Sequence, residues 1–119
     1  MPRIALALAL ALLASPAAAE REEGKWGAIA YGAPGRVAGT AVDFPTAAEA
    51  RQAALESCGG RCVSWIVFAR TCAAVAESSA GGAGSSISRW RGRAISRAVS
   101  ACRRTGPDCT FVAWACTTH

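Results

Sequence analysis

The chain has 119 residues, six cysteines and a formal net charge of +5. A chain of this length forms one domain that buries roughly two-thirds of its unfolded surface, so an assembly of several domains is excluded. The positive excess lies in the second half: residues 20–72 have six basic and six acidic side chains, whereas residues 73–119 have six arginines against Glu77 and Asp108. Such an asymmetry indicates an anionic partner.

The first nineteen residues have the order of a secretory signal. Arg3 supplies the positive start, residues 4–14 form an apolar run, and Ala17–Ala19 supply the small residues of a cleavage site. The apolar run is about half the roughly 20 residues that a membrane-spanning helix needs, and acidic residues follow at once, so we expect cleavage and not a membrane anchor. The expected organisation is a cleaved signal over residues 1–19, an acidic leader over 20–25 and a single domain over 26–119.

This domain is predicted to consist of two similar copies, about residues 26–71 and 72–119. Helix and cysteine positions recur at a constant offset of 44, since Ala50, Ala54, Cys58 and Cys72 correspond to Ala94, Ala98, Cys102 and Cys116. The pattern predicts an α+β fold of two pseudo-symmetric β-α-β copies. They are expected to form one small sheet, with the two alanine-rich helices packed closely on one face of it.

In chain order, the first copy begins with a strand at Trp26–Tyr31, where a short apolar run is bounded by polar or glycine positions. Glycine and proline favour a loop over residues 32–39. Helix 1 begins at a capping box, Thr46–Glu49, whose hydroxyl and carboxylate satisfy free backbone N–H groups. It extends to Cys58, and the β-branched and aromatic residues of Cys62–Ala69 predict the next strand.

The second copy repeats this order, with a strand at Cys72–Glu77, a glycine-rich loop at residues 79–86, helix 2 at Arg89–Cys102 and a closing strand at Cys109–Cys116. Helix 2 is amphipathic. Its apolar stripe consists of Trp90, Ala94, Ile95, Ala98, Val99 and Cys102, and the opposing i, i+4 row consists of Arg89, Arg93 and Arg97. The strand tryptophans are expected in the core, and the two equivalent glycine loops are expected to share one surface.

All six cysteines follow the signal, and an even number in a small exported chain is typical of a disulfide framework. Sequence alone does not choose among the possible pairings, but the internal repeat favours two local links and one link across the pseudo-twofold axis. The expected pairs are Cys58–Cys62, Cys102–Cys109 and Cys72–Cys116. A zinc site is the alternative, formed by Cys58, Cys62, Cys102 and Cys109 with His119. The second cysteine loop is longer than zinc loops usually are, and an oxidising compartment removes free thiolates, so no metal is expected.

Several motifs, in order along the chain, resemble a known family. They are "WGAIAY", "AALESC", "CAAVA" and the terminal "CTFVAWAC", and together they resemble the bacterial domain-of-unknown-function family 4189 (DUF4189) over Trp26–Thr117. The resemblance implies a small secreted or envelope-associated domain with conserved cysteines and no established general activity, and it supplies no catalytic residue. The segment "SSISRWRGRA" departs from the more acidic or polar helix entry expected of the family.

No complete set of catalytic groups is present in the sequence. General acid–base catalysis needs a group whose pKa lies near the working pH, and the single histidine, His119, is the last residue. Asp43 is interpreted as a turn residue before helix 1, and neither a Gly-x-Ser-x-Gly elbow nor a phosphate-binding loop occurs. We therefore expect no catalytic residue and no cofactor, and a protein that is not an enzyme.

The candidate binding residues lie around helix 2. They are Arg89, Trp90, Arg91, Arg93, Arg97, Arg103 and Arg104. Arginine binds phosphate and carboxylate groups through two parallel hydrogen bonds, so an acidic protein or an anionic envelope component is the expected partner. A solubilising helix face is the more ordinary interpretation of these arginines, because charge on an exposed helix face is common.

The sequence favours a periplasmic or secreted, non-enzymatic binding protein of an inhibitor or immunity type. No transmembrane segment is expected after signal cleavage, and no nucleic acid is expected as a partner because the protein is exported. A structural, stress-resistant envelope protein with no discrete ligand is the alternative, and an enzyme ranks third.

Overall fold

Two β-β-α-β units follow one another in the chain. A computed structural model describes residues 24–118, so the expected signal, most of the acidic leader and His119 lie outside the described residues. The first unit consists of β1 (Trp26–Tyr31), β2 (Gly39–Phe44), α1 (Ala47–Ser57) and β3 (Ser64–Ala69). The second consists of β4 (Cys72–Glu77), β5 (Ala83–Ser88), α2 (Arg91–Arg103) and β6 (Thr110–Cys116). Neither helix in this part of the chain has the length and apolar character that crossing a membrane requires.

Each unit forms its own three-stranded antiparallel sheet. The strand order is β2-β1-β3 in the first sheet and β5-β4-β6 in the second, so the first strand of each unit is central. The registers correspond, because Ala30 pairs with Gly39 in the first sheet and Ala76 pairs with Gly84 in the second. The α+β class and the internal repeat are therefore confirmed, and the expected single sheet is corrected to two.

The two sheets pack face to face, and each carries a helix on its outer face. Successive residues of a strand point to opposite faces of a sheet. In β4, Ala74 and Ala76 are buried against α2, whereas Ala73 and Val75 are buried between the sheets with Ile29 of β1. The layers therefore run helix, sheet, sheet, helix. This corrects the expectation that both helices lie on one face of one sheet.

Strands β2 and β5 occupy positions that the sequence did not predict as strands. A loop is predicted over residues 79–86, because glycine and serine favour loops when only local signals are considered, whereas β5 covers Ala83–Ser88. Each of these strands is held by backbone hydrogen bonds to the central strand of its sheet. Glycine and serine have the same backbone groups as larger residues, so they can form such a strand. Each repeat therefore has one strand more than predicted, and the glycine-rich segments shorten to true loops.

Two of these strand glycines lie where each helix crosses its sheet. A Cβ atom on Gly39 would collide with the carbonyl oxygen of Ala54. A Cβ atom on Gly84 would collide with the carbonyl oxygen of Ala98 and lie 2.8 Å from the Cα of Cys102. Glycine in a strand often marks such a close approach of another backbone segment. It allows each helix to rest directly on its sheet.

Three disulfides join the six cysteines in the expected pairs. The two local disulfides link each helix end to the loop before the following strand. The third joins Cys72 and Cys116, which lie directly opposite each other on β4 and β6. It therefore staples the second sheet, and its expected role as a link between the two halves is corrected. Since no cysteine is free, the thiolates of the alternative zinc site are not present.

The helices begin and end close to the predicted positions. The Thr46 hydroxyl oxygen accepts a hydrogen bond from the Glu49 N–H at 3.1 Å, as predicted for the capping box. After α1, Gly59 has a φ of +71°, which glycine adopts without steric cost. Helix α2 begins at Arg91, later than predicted, because β5 continues to Ser88.

The topology gives the molecule two different ends. At the terminal end, the Arg70 N–H donates to the Lys25 carbonyl oxygen at 3.0 Å, and the Thr118 N–H donates to Asp43 Oδ1 at 2.8 Å. These bonds gather both ends of the described chain near the starts of the two helices. The two glycine-rich loops and the two cysteine loops lie at the opposite end, the loop end.

Candidate functional site

All seven predicted binding residues are exposed around α2, and we call this surface the arginine face. It consists of Arg89, Trp90, Arg91, Arg93, Arg97, Arg103 and Arg104. The predicted i, i+4 row of Arg89, Arg93 and Arg97 is corrected, because Arg89 precedes the helix and only Arg93 and Arg97 lie in it. Arg93, Arg97 and Arg104 share the outer side of α2, since residues four and seven apart lie on one face of a helix.

The inner side of α2 packs on the second sheet through small side chains. Its fully buried residues are Ala94, Ala98 and Cys102, and its partly buried residues are Ile95 and Val99. This is the predicted apolar stripe without Trp90, whose side chain is 59% exposed. The arginine face therefore has a large aromatic side chain at the start of the helix.

The start of α2 is electrostatically positive. Trp90 is the N-cap residue and makes no side-chain bond to the helix, while its own N–H donates to the Ser88 hydroxyl at 3.2 Å. No acidic residue lies in the first turn, where Arg91 and Arg93 add to the partial positive charge of the helix N-terminus. A negative group placed here would offset the charge of the helix and of the arginines together.

Two arginines of the face stack on exposed tryptophans. The Arg91 guanidinium lies 4.6 Å from the ring centroid of Trp114, and the Arg89 guanidinium lies 5.3 Å from that of Trp90. Stacking of this kind holds the guanidinium plane while its N–H edge stays available for an anion. Trp114 and the neighbouring Phe111 belong to β6 and are 40% and 39% exposed. Aromatic side chains thus border the face on the sheet side.

Trp114 is a site residue that the sequence prediction missed. The strand tryptophans are predicted in the core, and this is wrong for Trp65 and Trp114, which are both exposed. They lie on β3 and β6, which are edge strands, so nothing in their own sheet flanks them on one side. The available signal was their place in the last strand of each unit.

Helix α1 provides an internal comparison. Arg51 of α1 stacks on Trp65 at 5.3 Å, as Arg91 stacks on Trp114. However, α1 has a single arginine together with Glu49 and Glu56, whereas α2 has four arginines and no acidic residue. Charge, and not architecture, therefore distinguishes the outer surfaces of the two helices.

A cleft of about 590 Å³ lies at the loop end. Both glycine-rich loops line it, as expected of a shared surface: Gly32, Ala33, Pro34, Gly35, Arg36, Glu77, Ser78, Ser79 and Gly81. Arg36 crosses from the first loop to the second sheet, where its Nη1 donates to Thr110 Oγ1 at 2.6 Å. The Oε1 atom of Glu77 is buried and has no hydrogen-bond partner within residues 24–118.

Glu77, which lines this cleft, and Tyr31, which precedes its lining residue Gly32, both have raised pKa values. Burial raises the pKa of Glu77, and the Gly32 N–H and the Arg36 charge oppose that rise. Burial also raises the pKa of Tyr31, and the negative charge of Glu77 raises it further. Tyr31 and Glu77 are the last residues of the two central strands, so each unit contributes one group.

One serine–carboxylate pair lies at the cleft. The Ser79 hydroxyl donates to Asp108 Oδ2 at 3.2 Å. Across residues 24–118, no group of three or more His, Cys, Asp or Glu side chains is placed to hold a metal ion. The arginine face is the surface on which all seven predicted binding residues meet.

The family profile of DUF4189, a domain of unknown function, matches residues 26–116. The chain belongs to this family. The NMR structure of Rv1813c from Mycobacterium tuberculosis is similar to this DUF4189 domain, with a TM-score of 0.58 and 33% sequence identity over 80% of this chain and 77% of that chain. No curated protein matches the sequence.

Membership of DUF4189 confirms the resemblance that the strand and cysteine motifs indicate. The matched residues include both sheets, both helices and all three disulfides, so the whole four-layer domain belongs to the family. The family description names no activity, and the function is therefore argued from the surface of this chain.

Proposed function

We propose that this DUF4189 domain is a small exported binding protein, without enzymatic activity, that takes an anionic target on the arginine face. The exposed arginines around an uncapped, positive helix start carry the proposal. A rigid, disulfide-linked domain loses little conformational entropy on binding. An inhibitor or immunity protein with an acidic protein target is one form of this function, and binding of an anionic envelope component is the other.

The export and non-enzymatic parts of the proposal have separate supports. The signal-like pattern of the first nineteen residues supports export, and so do the three disulfides, because disulfides persist in oxidising compartments. The non-enzymatic part is supported by the sequence, in which the single histidine is at position 119 and neither a Gly-x-Ser-x-Gly elbow nor a phosphate-binding loop occurs.

The test uses the oxidised protein, purified after export, and three immobilised anionic probes: heparin, polyglutamate and phosphatidylglycerol vesicles. We expect retention on at least one probe at low salt and release at high salt, because exposed charges are screened. The variant Arg93→Glu/Arg97→Glu/Arg104→Glu should lose retention while its circular dichroism and disulfides stay unchanged. Equal retention of this variant and the wild type would overturn the proposal.

A structural envelope protein with no discrete ligand is the second candidate. It is favoured by three disulfides within one four-layer domain, an arrangement that resists unfolding whether or not a ligand binds. The same experiment separates the two functions. Absence of retention on all three probes at low salt would support the structural role.

A further inference from the structure

We infer that the anionic target is a lipid bilayer surface, to which the domain attaches through the start and the outer side of α2. This inference rests on the proposed function and names the chemistry of its target. Three properties of the arginine face carry it: its shape, its charge and the place of its aromatic side chains.

The shape of the arginine face suits an extended surface. Helix α2 is the outermost layer of the domain and packs inward through Ala94, Ala98 and Cys102, so its arginines project from a convex side. The described cleft lies at the loop end and is lined by one arginine and one glutamate of opposite charge. A small free anion would need a concave site, whereas a bilayer accepts a convex one.

The charge of the face suits an anionic bilayer. No acidic residue occurs between Glu77 and Asp108, a segment that contains six arginines. Arg93 and Arg97 lie about one helical turn apart, about 6 Å along the axis, and both are exposed. Each basic residue near an anionic membrane surface raises partitioning about fivefold. Several arginines together are therefore enough to attach the domain to an anionic bilayer, although only a few aromatic side chains are exposed to add apolar contact.

The place of the aromatic side chains favours a bilayer over a protein. Protein interfaces concentrate binding energy in aromatic anchors near the centre of the patch, surrounded by a polar rim. Here Trp90 lies at one end of the helix, and Trp114 lies beside the first turn on the neighbouring strand. Tryptophan is enriched at membrane interfaces, where its ring sits at the level of the headgroups. The tryptophans thus resemble an interfacial anchor at the start of α2, and the other arginines of the arginine face would lie against the lipid headgroups.

The experiment measures partitioning of the oxidised protein onto phosphatidylglycerol vesicles, with phosphatidylcholine vesicles as the neutral comparison. The variant Arg93→Gln/Arg97→Gln is expected to bind about 25-fold more weakly, from two losses of about fivefold each. Its matched control is Arg51→Gln/Arg61→Gln, which removes the same charge from exposed residues of the first unit. The control is expected to bind within about twofold of the wild type, because its arginines lie outside the arginine face.

A second measurement locates the tryptophan. Lipids with brominated chains quench a tryptophan that reaches the interface. We expect quenching that is reduced in Trp90→Phe, largely lost in Trp90→Phe/Trp114→Phe and retained in Trp65→Phe, since Trp65 lies on the first sheet.

The outcomes separate the two proposals. Retention on heparin or polyglutamate without binding to anionic vesicles would overturn the lipid target and leave the proposed function standing. Failure to bind any anionic probe would overturn both. The inference would be overturned if Arg93→Gln/Arg97→Gln and Arg51→Gln/Arg61→Gln weakened vesicle binding equally. It would also be overturned if Trp90→Phe did not reduce the quenching. Either result would show that another surface is responsible.

Discussion

Alanine in place of Gly84 tests the direct contact between the backbone of α2 and strand β5. The new Cβ would collide with the carbonyl oxygen of Ala98 and lie 2.8 Å from the Cα of Cys102. Both neighbours are backbone atoms of a helix whose end is held by the Cys102–Cys109 disulfide, so no side chain can rotate away. The helix itself must move.

The expected loss follows from the cost of overpacking. Inserting a methyl group into a well-packed core typically costs 1–3 kcal/mol, occasionally more, and contact with backbone places Gly84→Ala at about 3 kcal/mol. Domains of this size are stable by about 5–15 kcal/mol in total. With a urea m value of about 1.5 kcal/mol/M, the loss lowers the unfolding midpoint by about 2 M.

Gly92 provides the matched control, because it lies in α2, the helix that Gly84 contacts. A Cβ on Gly92 meets no atom within 4 Å, and alanine has a higher helix propensity than glycine by up to about 1 kcal/mol. Gly92→Ala should therefore raise the midpoint by about 0.5 M. The assay is equilibrium urea unfolding followed by circular dichroism, with the disulfides intact. A midpoint for Gly84→Ala equal to that of the wild type would refute the close contact of α2 with β5.

Three further predictions concern the disulfides, Tyr31 and Glu77. Replacing Cys72 and Cys116 by alanine should lower the free energy of unfolding by about 4 kcal/mol, against about 2 kcal/mol for replacing Cys58 and Cys62. The reason is that the disulfide closing the longer loop removes more entropy from the unfolded chain. The opposite order in urea unfolding would contradict this explanation. Tyr31 is the single tyrosine, so its absorbance titration should report a pKa above the ordinary value, which falls in Glu77→Gln as the negative charge is removed. Because the raised pKa of Glu77 favours the protonated carboxyl in the folded state, this carboxyl stabilises the fold below the ordinary carboxyl pKa and loses that contribution as pH rises through its folded pKa. Glu77→Gln should therefore stabilise the protein more at neutral than at acidic pH, and a gain confined to acidic pH would contradict the burial of this group.

Local signals in the sequence predicted the parts of the fold that depend on local chemistry. The capping box at Thr46–Glu49 acts within one turn of helix, and the central strands combine a short apolar run with defined boundaries. The internal repeat predicted the disulfide pairs, because equivalent cysteines occupy equivalent places in the two copies. These features need no knowledge of the tertiary structure.

The missing strands and the layer order depend on contacts that are distant in the sequence. Gly84 favours a loop when composition alone is considered. The close approach of α2 explains why this position of a strand is a glycine. Both faces of β1 and β4 are largely apolar and buried, so no alternation of polar and apolar residues reveals that one face meets a helix and the other meets a second sheet.

The charge of the arginine face was predictable from the sequence, but its geometry was only partly so. The arginine excess of the second half is visible in composition, and all the predicted arginines are exposed. The stacking of Arg91 on Trp114 joins α2 to β6, and it depends on how that strand lies beneath the helix. No spacing in the sequence contains that information.

The order of the four layers also determines how an attached molecule is oriented. Three layer spacings of about 10 Å each put the axes of α1 and α2 on the order of 30 Å apart, on opposite sides of the domain. A molecule held at a surface by α2 therefore displays α1, with Arg51 stacked on Trp65, toward the surrounding medium. Substitutions on the displayed side would then change its contacts with the medium and leave the attachment through α2 unaltered.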